Sequence, residues 1–281
     1  MSTSFPSQAP QLVSPLRDLD AWTAHFSTAT IPVLSSTRDA LEEFRANEDL
    51  VDANSLGEMI SADPLMTLKV FSHAAAHRNS RMTTDTETVT AALVMMGISP
   101  FFSAFGPQPT VEERLADNPD ALAGLAETMR RAHRGATFAL AFAVHRMDSD
   151  AAMVHTAALL HEFADMLLWC HAPTVALDIQ SAQRHDSRLR SNAVQLDQLN
   201  VELPDLQQSL MKAWRLPELL IRISGDRHTQ HPSVRTVALA VRLARHTSRG
   251  WDNAAVPDDV KDIAALLNLT QTATLLLVEG L

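Results

Sequence analysis

The sequence predicts an all-α protein, a helical bundle of two lobes. Ala and Leu are frequent, Tyr is absent and only 8 residues are Gly, a composition that favours helix over sheet. No segment alternates apolar and polar residues with the period of two that a half-buried strand requires. Start and stop signals of helices recur along the whole chain instead.

The chain is expected to consist of a tail and two lobes. Residues 1–17 are rich in Pro and Ser and show little periodicity, so they are expected to form a loose tail. The strongest chain break is the Gly-Pro-Gln-Pro stretch at Gly106–Pro109. It separates an N-terminal helical lobe over residues 18–109 from a second helical lobe over residues 110–281.

Capping signals mark several helices of the first lobe. Ser55–Glu58 has the spacing of a capping box, and Asp63-Pro64 is an N-cap residue followed by proline. Gly97 is placed to end a helix over residues 89–96. These signals predict three of the helices in this lobe.

The second lobe begins with longer helices. Asn118-Pro119 starts an Ala-rich helix that should continue to about Met147. The stretch Ala151–Cys170 contains neither Gly nor Pro and is expected to form a single helix about 30 Å long. Further helices are expected over residues 173–185, 188–199, 203–214, 217–224 and 232–249, followed by a pair that starts at Pro257 and breaks near Asn268.

Ionisable side chains interrupt the apolar surface expected for the 151–170 helix. His161 and Asp165 are four residues apart and Glu162 and Asp165 three apart, so the three groups share one side. Leaving such groups buried without partners costs on the order of several kcal/mol. Either they line a pocket or a polar network holds them.

Net charge and cysteine content limit the class of partner and the compartment. The formal charge of −10 repels nucleic acid and anionic membranes. Cys170 is the single cysteine, so no internal disulfide forms and a reducing compartment is favoured. Neither a signal peptide nor a membrane-spanning run is visible, and a cytoplasmic protein is expected.

A basic stripe follows the helix expected over residues 232–249. Its members are Arg235, Arg242, Arg245 and Arg249. Such a stripe either meets an acidic partner or a phosphate, or is a solvated face. The negative total charge favours the solvated face or a protein contact over nucleic acid.

Several motifs, in this order along the chain, resemble those of the HDOD domain. They are IPVL at 31–34, ADPLMTLKVF at 62–71, TVTAALVMMGI at 88–98, AALLHEFADMLL at 157–168 and AWRLPELLIRI at 213–223. The resemblance covers about residues 30–245. It implies an N-terminal helical lobe packed on a lobe similar to the HD-type metal phosphohydrolases, and a signalling or interaction module that is not an enzyme.

The metal-binding residues of the catalytic HD relatives are only partly matched. His133 and His161 stand at the two histidine positions, whereas Glu162 replaces the aspartate that follows the second. The last acid should fall in the 232–249 helix, which contains no carboxylate there. The resemblance therefore implies no catalytic, cofactor or metal site, with His133, His161, Glu162 and Asp165 as candidates for a vestigial pocket.

Two functions follow from these observations. The first is a non-enzymatic signal-transduction module that binds a protein partner or a small signalling ligand, with no nucleic acid and no membrane. The second is a metal-dependent phosphohydrolase of phosphodiester or nucleotide type that uses His133, His161 and Glu162. The first is expected, because a divalent catalytic site needs at least three convergent ligands.

Overall fold

The computed structural model describes residues 10–77, 87–185, 191–225 and 231–281. Within these ranges the chain forms helices, and its only β-type pairing is one isolated parallel bridge between Val33 and Thr110. The prediction of an all-α helical bundle is confirmed.

The helices have the following bounds in chain order. They are α1 Leu19–Thr28, α2 Ser35–Ala46, a short 3₁₀ helix Glu48–Leu50, α3 Ala53–Ser61, α4 Pro64–Ala76, α5 Val89–Met96, α6 Ile98–Ala104, α7 Val111–Arg114, α8 Pro119–His145, α9 Ala151–Leu159, α10 Phe163–His171, α11 Pro173–His185, α12 Ser191–Leu199, α13 Leu203–Ala213, α14 Glu218–Ile223, α15 Pro232–His246, α16 Val256–Leu267 and α17 Gln271–Glu279. The expected start of α12 at Arg188 lies outside the described residues.

Two of the three predicted capping signals are confirmed. The carboxylate of Asp63 caps α4 by accepting from the backbone N–H groups of Leu65 and Met66, and Gly97 ends α5 with φ of 84°. The capping box at Ser55 is wrong. The helix begins two residues earlier, and Asp52 is its N-cap, since its side chain accepts from Asn54 N and Ser55 N.

The expected single helix over residues 151–170 is also wrong. α9 ends at Leu159, residues 160–162 form a turn, and α10 begins at Phe163. The His161 N–H donates to the carbonyl of Ala158 at 3.2 Å, a three-residue step that tightens the chain. The side chain of Leu160 in the turn and that of Phe163 at the start of α10 are both 0% exposed. Burial of these side chains therefore overrides helix propensity at the polar turn.

Backbone contacts group the chain into two compact units. The first contains Met1–Glu127 and Phe163–Leu216, and the second Thr128–Glu162 and Pro217–Leu281. These limits differ from the break expected at Gly106–Pro109. The reason is that α13 packs on α1 and α10 packs on α4, so the segment from Phe163 onward joins the first unit.

Part of the expected loose tail is held by hydrogen bonds in the first unit. Leu12 N donates to the carbonyl of His171 at 2.7 Å, and the Gln11 side chain donates to the carbonyl of Arg114 at 2.9 Å. Asn200 donates to the carbonyl of Leu16 at 3.0 Å. Residues 10–16 are therefore anchored, whereas residues 1–9 lie outside the described part of the chain.

In the second unit, α15 packs on both α9 and α16. The C-terminal half of α8 presents small residues to α15. A Cβ built on Gly135 would lie 3.5 Å from Cγ2 of Val241, so the two helices meet in ordinary van der Waals contact. This arrangement brings the arginines of α8 and α15 towards the turn after α9.

Candidate functional site

In the first unit, the IPVL and ADPLMTLKVF motifs meet at the buried carboxylate of Asp63. This side chain is 0% exposed and also accepts hydrogen bonds from Leu34 N and Thr37 Oγ1, each at 2.8 Å. Burial raises the pKa of Asp63, and the hydrogen bonds to the carboxylate oppose that rise. Asp63 thus joins the segment before α2 to the start of α4.

Lys69, in the second turn of α4, also makes hydrogen bonds in this region. Its Nζ donates to the carbonyl of Ile31 at 2.9 Å and to the side-chain oxygen of Gln108. Burial lowers the pKa of Lys69 to about 8, although the negative charge of Asp63 acts in the opposite direction. These contacts join the two motifs to each other and give them a packing role.

In the second unit, two arginines hold the carboxylate of Glu162 in the turn after α9. Arg131 on α8 places both Nε and Nη2 at 3.2 Å from Oε2, and Arg245 on α15 places Nη2 at 3.6 Å from Oε1. We call Glu162, Arg131 and Arg245 the Glu162 clamp. The Glu162 side chain is 13% exposed, so the two guanidinium groups stabilise a largely buried negative charge.

The two candidate histidines, His133 and His161, lie in the second unit together with a third histidine, His155, and all three are half-buried. His133 lies on α8, His155 on α9 and His161 in the turn. Burial lowers the pKa of His155, and the positive charge of nearby His133 lowers it further. His133 and His155 are therefore neighbours, a pairing that the sequence reading did not predict.

Asp165, the fourth candidate, lies in the first turn of α10 and belongs to the first unit. Within the described ranges, no three His, Cys, Asp or Glu side chains converge as ligands of a metal ion would. Both oxygens of Glu162 face guanidinium groups instead. Among the residues that the structure describes, the carboxylate at the position of the metal-binding acid is thus paired with two arginines.

Sequence reasoning missed Arg131 because no local pattern links it to Glu162, which lies 31 residues away. The basic stripe of α15 was recognised from the sequence, and in the structure its arginines have different surroundings. Arg242 contacts Asp259 at 2.7 Å and Asp262 at 2.6 Å, whereas the one acid within reach of Arg245 in the described part of the chain is Glu162. Arg235 and Arg249 are exposed.

A second buried polar group lies at the end of α10, in the first unit. Arg114 donates from Nε to the carbonyl of Cys170 at 2.6 Å, and its Nη2 lies 2.9 Å from Nδ1 of His171. His171 is 2% exposed. Burial, and then the positive charge of Arg114, lowers the pKa of His171 to about 3. Burial raises the pKa of the Cys170 thiol to about 12, so the cysteine is a packing residue at neutral pH.

Among the described helices, none combines the length and the apolar character needed to cross a lipid bilayer.

Comparison with known proteins gives one family match and several structural ones. The HDOD domain model matches residues 31–230. The MmoQ response regulator of Methylococcus capsulatus str. Bath is similar over 85% of this chain and 98% of its own, with 18% identity and a TM-score of 0.62. A virulence factor of Campylobacter jejuni subsp. jejuni is similar over 92% and 97%, with 16% identity and a TM-score of 0.60. At these identities the likeness shows the fold. No curated protein matches the chain.

Proposed function

The chain belongs to the HDOD domain family, and on that basis we propose that it is a non-enzymatic, bacterial-type regulatory module of signal transduction. It acts by binding a protein partner or a small ligand. The name of the similar structure MmoQ, a response regulator, supports this role. The proposal places the chain in the cytoplasm, where its single cysteine stays reduced.

The Glu162 clamp is the observation that carries the proposal. In the HD relatives that the sequence resembles, the acid after the second histidine binds metal. Here the corresponding carboxylate is neutralised by Arg131 at 3.2 Å and Arg245 at 3.6 Å. A cation at Glu162 would have to displace or approach two guanidinium charges, which opposes metal binding.

Metal analysis and an assay of phosphodiester hydrolysis test the proposal. Purified protein is expected to contain far less than one equivalent of iron, manganese or zinc, and to leave bis(p-nitrophenyl) phosphate intact when these metals are added. Stoichiometric metal with hydrolysis that disappears in both His133→Ala and His161→Ala, but persists in the surface control His77→Ala, would establish the phosphohydrolase alternative instead.

A further inference from the structure

The solvent-facing side of α5 carries no charge. Residues 88–111, which include α5 and α6, contain no Asp, Glu, Lys, Arg or His. Val94 is 68% exposed and Met95 is 49% exposed, and Thr90 and Ala91, one turn earlier on the same face, are half-buried. A helix face that only water covers normally carries charged side chains. We call these four residues the α5 face, and its two exposed apolar side chains mark a contact surface.

Helix α3 borders the α5 face. α3 packs on α5, and a Cβ built on Gly57 would lie 2.6 Å from Oγ1 of Thr90, so the two helices cross at this pair. Val94 lies one turn beyond Thr90, about 6 Å along the helix axis. Glu58 directly follows Gly57 and is exposed. An exposed carboxylate therefore lies on the neighbouring helix, next to the crossing point.

The segment that borders the α5 face is strongly acidic. Residues 39–63 contain eight acidic side chains and one basic one, Arg45. The acids exposed to solvent are Asp39, Glu42, Glu43, Asp49, Asp52 and Glu58.

The charge of Arg45 is taken up by its own surroundings. Its Nη2 donates to the carbonyl of Phe105 at 2.6 Å and lies 3.8 Å from Oε1 of Glu42. Phe105 directly follows α6, so these contacts place the end of α2 beside α6. The acidic segment thus contacts α5 through α3 and the end of α6 through α2, and it keeps a large negative excess.

We propose that the α5 face is the docking site for a basic amphipathic helix of a partner protein. This inference rests on the regulatory function proposed above and names the class of partner. The apolar side of such a helix covers Val94 and Met95, and its Lys and Arg side chains meet the acidic segment 39–63. The thioether side chain of Met95 is flexible and polarizable, so it adapts to the apolar side chains of the partner.

Charge distinguishes this occupant from two others. A second copy of the chain on the same face would form an isologous contact, in which the α5 face meets its own equivalent. The acidic segment of one copy would then lie near that of the other, and like charges facing each other oppose association. An anionic membrane is repelled for the same reason. A basic helix is stabilised by the apolar face and by the acidic segment together.

Fluorescence anisotropy with a labelled amphipathic peptide of Leu and Lys tests the proposal. The full-length protein is expected to bind this peptide at least about tenfold more tightly than a peptide of Leu and Glu with the same pattern. Val94→Ser and Glu58→Lys should each weaken binding of the basic peptide about fivefold. High salt should reduce the effect of Glu58→Lys more than that of Val94→Ser, because salt screens exposed charges.

Leu276→Ser and Glu279→Lys on α17 are matched controls. Leu276 is 69% exposed, almost the same fraction as Val94, and Glu279 is an exposed acid like Glu58. Both variants should bind the basic peptide as the wild type does. Equal weakening by the controls, equal binding of the two peptides, or a wild type that binds neither would overturn the proposal.

Two further measurements test the other occupants. A dimer in sedimentation velocity that Val94→Ser dissociates would assign the α5 face to a second copy, and binding to phosphatidylcholine vesicles that Val94→Ser abolishes would assign it to a membrane. Either result would overturn the proposed occupant. Absence of peptide binding without metal-dependent hydrolysis would remove this inference and leave the regulatory function standing, whereas metal-dependent hydrolysis would remove that function.

Discussion

Gly124 on α8 lies so close to the indole of Trp169 that a Cβ at this position would fall 2.4 Å from Cη2 of the ring. Trp169 is 4% exposed and so has little room to move. We expect Gly124→Ala to destabilise the protein by about 1–2 kcal/mol, because overpacking outweighs the roughly 1 kcal/mol gain in helix propensity. Chemical denaturation measures the change.

Gly135 on the same helix is the matched control. A Cβ there would lie 3.5 Å from Val241 Cγ2, which is ordinary contact. Gly135→Ala should therefore keep the propensity gain and stabilise the protein by about 0.5–1 kcal/mol. If both substitutions shift the midpoint in the same direction, the close approach of Gly124 and Trp169 is not what decides the first.

Leu160 lies in the turn between α9 and α10, and Leu167 lies on α10. Both are 0% exposed. Truncation of either to Ala is expected to cost about 2–5 kcal/mol, from lost burial and from the cavity left behind. Leu276→Ala, at a leucine that is 69% exposed, should change the unfolding free energy by less than about 0.5 kcal/mol. Changes in unfolding free energy at Leu160 and Leu167 as small as the change at Leu276 would show that this region is not part of the core.

Asp63→Asn should destabilise the protein although the two side chains have the same shape. Oδ2 of Asp63 accepts from Leu34 N and Thr37 Oγ1, and Oδ1 accepts from Leu65 N and Met66 N. Either orientation of an amide would turn its NH₂ group towards a buried backbone N–H. We expect a loss of about 1–3 kcal/mol in the free energy of unfolding.

Asp52→Asn is the control for that substitution. Asp52 also caps a helix, through Oδ1 to Asn54 N and Ser55 N, but at an exposed site. Asn is as good an N-cap as Asp, so the cost should stay below about 0.5 kcal/mol. A similar loss from both substitutions would mean that the buried acceptor pattern at Asp63 has no special weight.

The stability of the protein should fall on acidification because of His171. Burial and the charges of Arg114 and His25 keep the pKa of His171 at about 3 in the folded state, below the 6.5 of an ordinary histidine. The unfolded chain binds the proton first, so the contribution is complete above pH 6.5 and is lost as the pH falls towards 3.

His171→Asn removes this titration and keeps an acceptor for Arg114. Between about pH 6 and 4 the wild type should lose unfolding free energy more steeply than the variant, by up to about 1.4 kcal/mol per pH unit. Urea denaturation at a series of pH values measures both slopes. Parallel slopes would contradict this prediction, because they would show that the pKa of His171 is not lowered in the folded protein.

The sequence alone determined the helical class and many helix ends. A cap acts within one turn, so Asp63, Gly97 and the proline at the start of α11 mark boundaries that the structure reproduces. The motifs of the HDOD family could also be recognised from the sequence, because each is a short contiguous stretch of residues. The capping box predicted at Ser55 was wrong because Asp52, three residues earlier, caps the helix instead. Its carboxylate accepts hydrogen bonds from the backbone N–H groups of Asn54 and Ser55.

Only the tertiary structure decided what surrounds the candidate residues. Helix propensity predicted one helix through His161 and Glu162, but burial of Leu160 and Phe163 favours a turn there. The partners of Glu162 come from α8 and α15, and no local rule relates their positions in the chain. Propensity and capping depend on neighbours within a turn, whereas an ion pair depends on which helices pack together. The packing of α8 and α15 therefore decided that the Glu162 carboxylate faces two arginines.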